Sequence, residues 1–71
     1  MNAATSNAIE KEKERILCLF AGNLNARCRA SVKVARRIII NAPYMFQGRL
    51  WDIKSKNLGA GVYELSLKEF E

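Results

Sequence analysis

The chain has no histidine, a single aspartate (Asp52), one proline and four glycines. Without an imidazole no side chain ordinarily titrates between pH 5 and 8, and no two carboxylates are placed to work together. Acid–base catalysis near neutrality therefore has no evident agent. A thiol nucleophile would need a neighbouring base or an electropositive niche. Arg27 and Arg29 flank Cys28, yet an inert structural thiol is the expectation for both Cys18 and Cys28. Two cysteines with neither histidine nor clustered acids do not complete a tetrahedral zinc site within one chain. There is no Walker-type loop, and Gly59-Ala60-Gly61 is a turn signal too short to cradle phosphate. No enzyme activity, metal or cofactor is expected. The longest apolar run free of charge, Ile16 to Ala21, is far too short to cross a bilayer, and the amino terminus lacks the basic-then-apolar order of a signal peptide. The expectation is a cytoplasmic chain with reduced thiols and no membrane partner.

What is present is apolar content and uneven charge. Seventy-one residues, 49% of them hydrophobic, can form one domain whose core leaves only a few kcal/mol of net stability, so a homodimer is a reasonable expectation. The net charge is +5. Residues 10–15 cancel, while residues 16–56 carry Arg27, Arg29, Lys33, Arg36, Arg37, Arg49, Lys54 and Lys56 against Asp52 alone. A negatively charged partner is favoured by that middle segment.

Along the chain, residues 1–14 are small and polar, then alternately charged, and only Ile9 offers an apolar face; they read as a flexible arm before a single domain over residues 15–71. Ile16 to Ala21 reads as a strand. Gly22-Asn23 reads as a two-residue hairpin turn, and Leu24 to Ala30 alternates apolar and polar as a second strand. That register would put Cys18 and Cys28 on opposite faces, both at least half-buried and unbridged. Ser31 is a helix N-cap. Residues 32–42 place Val32, Val34, Ala35, Ile38, Ile39 and Ala42 on one side of a helix and Lys33, Arg36, Arg37 and Asn41 on the other, with Pro43 ending it. Tyr44 to Lys54 and Gly61 to Lys68 read as two more strands, joined by a loop over 55–60. In the first of these, Phe46, Gly48 and Leu50 would share one face and Arg49, Trp51 and Ile53 the other, with Gly48 at a bulge or close helix approach. Tyr63, Leu65 and Leu67 share a face of the second. The predicted fold is α+β, ordered ββαββ: a four-stranded antiparallel sheet with one helix on one face and the other face uncovered.

Function then has to reside on the surface. The uncovered face is expected to carry Arg27, Arg29 and Arg49 with Trp51, a mixture that suits protein hot spots and nucleic-acid grooves alike. Ile16, Phe20 and Ile53 on the same face would bury against a second copy of the chain. A second basic patch, Lys33, Arg36 and Arg37, lies on the outer side of the helix with Ile40 among the bases. The partners compatible with these surfaces are a protein or nucleoprotein complex, nucleic acid bound directly, and a homodimer.

The stretch from Ser31 to Ile53, with Ala35-Arg36-Arg37-Ile38 on a helix followed by Phe46-Gln47-Gly48-Arg49-Leu50, resembles the Ash and Icd-like small prophage proteins, the latter named as inhibitors of host cell division. It is also similar to a family of type I-F anti-CRISPR proteins, in which a cap, an Ala-basic-basic-Ile helix and a Phe-x-Gly strand follow two short strands. The resemblance implies a phage- or prophage-type modulator that binds a host complex; in the anti-CRISPR case that complex is a nucleoprotein. The chain departs from the second family by one residue between helix and strand and in its tail, so only the class of action is carried over.

Overall fold

The computed structural model describes residues 3–70, with side chains from residue 7 onward. The order of elements is α1 (Ala3–Gly22), β1 (Arg27–Ser31), α2 (Val32–Ile40), β2 (Tyr44–Phe46), β3 (Arg49–Gly59) and β4 (Val62–Glu69). The four strands form one antiparallel sheet in the order β1-β4-β3-β2. The α+β class and the four-stranded antiparallel sheet agree with expectation. The ββαββ order does not: a second helix stands where the first strand was predicted.

The segment 16–21 is helical because its apolar residues continue a stripe that starts earlier. Ile9, Ile16, Leu17 and Phe20 recur at intervals of seven, one and three, a single helical face. Ile16 and Phe20 are buried, and Ile9 and Leu17 pack against the core. In the charged stretch between them Lys11, Glu14 and Arg15 are exposed and Glu10, Glu12 and Lys13 half-buried, with Glu10–Lys13 and Glu12–Arg15 pairs one turn apart. The predicted arm over residues 1–14 is thus, from Ala3 on, the first half of α1, while residues 1 and 2 lie outside the described part. Gly22-Asn23 ends this helix instead of turning a hairpin. The Asn23 N–H donates to the carbonyls of Leu19 (2.9 Å) and Phe20 (3.2 Å), and the Gln47 amide donates to the Ala21 carbonyl (3.2 Å).

α2 forms as its sequence dictates. Ser31 is the N-cap, its hydroxyl accepting from the Val34 N–H at 3.4 Å. Val34, Ala35 and Ile38 are buried, whereas Lys33, Arg36 and Arg37 are exposed. Val32 is half-buried and Ile39 exposed, so the buried stripe is narrower than the predicted one. The helix stops at Ile40, Asn41 caps its end, and Pro43 follows through a cis Ala42–Pro43 bond.

Residues 44–54 are a hairpin, not one strand. Phe46 pairs with Arg49, so Gln47-Gly48 is a two-residue turn with φ of 50° and 77°, the left-handed pair that a type I′ turn requires. Gly48 supplies the positive φ; it marks neither a bulge nor a helix approach. The predicted loop 55–60 is mostly strand: β3 runs to Gly59, with a register shift between Asn57 and Gly59, before the turn into β4.

Both helices pack on one face of the sheet. The core is Ile16 and Phe20 from α1, Ala30 from β1, Val34, Ala35 and Ile38 from α2, Ile53 from β3 and Leu65 from β4. Each large apolar side chain so buried contributes about 1.5–3 kcal/mol. Tyr44 ties the β2 edge to α2, its hydroxyl donating to the Ile38 carbonyl at 2.7 Å.

Candidate functional site: the open face of the sheet

Cross-strand partners point to the same side of a sheet, so the register assigns every strand side chain to a face. Cys28, Ala30, Trp51, Ile53, Tyr63, Leu65 and Leu67 face the helices. The opposite face holds two rows that run across three strands: Arg27–Ser66–Lys54 and Arg29–Glu64–Lys56. A third pair, Lys68–Asp52, lies next to the first row. Arg27, Arg29, Lys54, Lys56 and Lys68 are all exposed, and Glu64 and Asp52 are half-buried. Among the described residues, ion pairs engage Lys13, Arg15, Arg37 and Arg49 but none of these five cations. The rows enclose a shallow depression of about 190 Å³ lined by Arg27, Lys54, Ser55, Lys56, Glu64 and Ser66.

Beyond Asp52 the open face turns apolar. Met45 lies opposite Leu50, and the Phe70 N–H extends the ladder by donating to the Leu50 carbonyl (3.2 Å). All three side chains are exposed, Met45 by 61%, Leu50 by 38% and Phe70 by 49%. The face is therefore polarised, with cations at one end and an apolar strip at the other.

The sequence placed Arg27 and Arg29 on the uncovered face, and they are there. Arg49 and Trp51 are not. The two-residue turn at Gln47-Gly48 gives Arg49, Trp51 and Ile53 the helix-side parity. Arg49 pairs with Glu69 at 2.6 Å. The Trp51 ring is half-buried, and its indole N–H donates to the Phe46 carbonyl at 3.2 Å. The three residues expected to form a dimer interface are core instead, with exposures of 2% for Ile16, 0% for Phe20 and 9% for Ile53. An interface made of them would require unfolding the monomer. Lys33, Arg36, Arg37 and Ile40 form the predicted second patch, on the far side of the molecule from Arg27.

Sequence reading missed Lys54, Lys56, Ser66, Lys68, Met45, Leu50 and Phe70. The alternation Asp52, Lys54, Lys56 carries the signal for β3, but the polar run Ser55-Lys56-Asn57 before Gly59 has the composition of a loop.

The two thiols differ. Cys18 is exposed on α1 and Cys28 half-buried on β1, and they are not bonded to each other. Burial, reinforced by the Glu12 carboxylate and opposed by Arg15, pushes the Cys28 thiol pKa up. Arg27 and Arg29 point to the other face, so they do not activate it.

No protein-family model matches the chain, and comparison with curated proteins and with solved structures yields no match. No helix among the described residues is long and apolar enough to cross a membrane.

Proposed function

We propose that this protein is a non-enzymatic modulator that docks through the open face of its sheet on a host protein or nucleoprotein complex presenting negative charge. The observation that carries this reading is the pair of rows Arg27–Ser66–Lys54 and Arg29–Glu64–Lys56, four exposed cations around one carboxylate, none of them in an ion pair among the described residues. Such a surface steers an anionic partner and fixes its register. The apolar strip Met45–Leu50–Phe70 beside it supplies the desolvated contacts that hold a protein partner once it has arrived. The likeness of residues 31–53 to small prophage and anti-CRISPR proteins supports a mobile-element role, with the host division or defence machinery as the partner.

Direct binding of nucleic acid is the second reading, favoured by the same cations. It is weakened by the position of the aromatics: Trp51 and Tyr63 are on the helix side, and among the described residues Phe70 is the one ring on the open face, in the apolar strip beyond the basic rows. Contact along the rows themselves would be to phosphates.

The two readings separate in an affinity capture from a bacterial lysate, split into nuclease-treated and untreated halves. The modulator reading expects one defined complex retained in both halves. Partners that disappear with nuclease would replace it with the nucleic-acid reading.

A further inference from the structure

The outer stripe of α2 points away from the sheet and takes no part in the surface described above. Lys33, Arg36, Arg37 and Ile40 stand at positions i, i+3, i+4 and i+7, opposite the buried Val34, Ala35 and Ile38. Ile40 is the most exposed large apolar side chain among the described residues, at 78%. Across from it on α1 is Ile9, and between the two helices runs a groove of about 300 Å³ lined by Ile9, Lys33, Arg36, Arg37 and Ile40. An open groove of this size accepts an apolar side chain of a docked peptide better than it encloses a small molecule. Its rim already holds one carboxylate: Glu10 of α1 meets the Arg37 guanidinium at 3.0 Å. Lys33 and Arg36 have no such partner among the described residues.

We infer that the α1–α2 groove is a second docking site, one that takes an acidic peptide segment of another protein by seating an apolar side chain between Ile9 and Ile40 and pairing carboxylates with Lys33 and Arg36. Charge complementarity selects this occupant, because the groove has an apolar floor and a rim on which three bases outnumber the one carboxylate, leaving Lys33 and Arg36 outside any ion pair among the described residues. The site lies on the opposite side of the molecule from Arg27 and Lys54. A protein with both sites joins two partners, or two parts of one, and the second site does not depend on the proposed function of the first.

A display library of random twelve-residue peptides, selected on the folded protein, tests this directly. The expected consensus combines one large apolar residue with two or more acids. In fluorescence anisotropy a selected peptide binds Ile40→Ser and Arg36→Glu at least tenfold more weakly than wild type, and binds Lys54→Glu/Lys56→Glu within twofold of wild type. Circular dichroism establishes that each variant is folded. Failure to enrich any peptide, a consensus without acids, or binding lost in the sheet variant and kept in the helix variants would each overturn the inference. So would binding to phosphatidylglycerol vesicles that depends on Ile40 and Arg36 while no peptide is selected, since the groove would then serve a lipid surface.

Discussion

Arg27 of β1 and Lys54 of β3 face the same residue, Ser66 of β4, from its two sides. A single anionic group above Ser66 lies within the field of both. Replacing them together by glutamine removes two cations from one row and leaves the core untouched. On immobilised heparin, a simple polyanion, the double variant is expected to elute at lower salt. Its slope of log retention against log salt should be smaller than that of wild type by about two, one for each lost contact. An unchanged slope would mean that polyanions bind elsewhere.

Phe20 distinguishes a core from an interface. It is fully buried within one chain, so Phe20→Ala is expected to cost about 3–5 kcal/mol. That is comparable with the whole stability of a domain this small. Thermal unfolding followed by circular dichroism should show little or no folded protein at 37 °C. A variant that stays folded and merely changes its oligomeric state in sedimentation would instead place Phe20 at an interface.

Much of this was legible in the residues, and the failures have local causes. Ser31, Val34, Ala35 and Ile38 announce α2 because cap, burial stripe and breaker all agree there. The alternation Arg27–Cys28–Arg29–Ala30 gives the right parity for β1. The six-residue apolar run at Ile16 is ambiguous by itself, since a short buried strand and one face of a helix look alike at that length. Ile9, seven residues upstream across a stretch of charges, decides for helix. Gly48 sits in a turn and not within a strand, and the two residues so removed from the strand invert the faces of Arg49, Trp51 and Ile53 together. The candidate site was therefore half visible: Arg27 and Arg29 from alternation, and Lys54, Lys56 and Lys68 only once the register was known.

Tyr44 joins β2 to α2 by the bond from its hydroxyl to the Ile38 carbonyl. Tyr44→Phe leaves that half-buried carbonyl without its donor and is expected to lower stability by about 1 kcal/mol in urea titration. Burial, with Glu10 and Glu14 adding to it, raises the phenol pKa above its ordinary value. In the unfolded chain the phenol ionises first, so this contribution is present below pH about 10 and is lost as pH rises through the folded-state value. Wild type should therefore lose stability above pH 10 more steeply than Tyr44→Phe. Parallel curves would show that Tyr44 is not held protonated by the fold.

Cysteine labelling reports the same packing. Cys18 is exposed, and Cys28 is half-buried with a raised thiol pKa. At pH 7.5 iodoacetamide is expected to modify Cys18 well before Cys28, with the site assigned by peptide mass spectrometry, because only the thiolate reacts. Equal rates would place β1 outside the packed sheet.

Affinity capture from a bacterial lysate with wild type, Arg27→Glu/Lys54→Glu and Arg49→Glu measures whether the open sheet face holds the partner. Arg49 is a control of the same charge on the other face, and its exposed pair with Glu69 is worth at most about 1 kcal/mol, so both variants should remain folded. The predicted result is a complex retained by wild type and Arg49→Glu and absent from the double variant. A double variant that retains the complex as well as wild type does would rule out the open face as the docking surface.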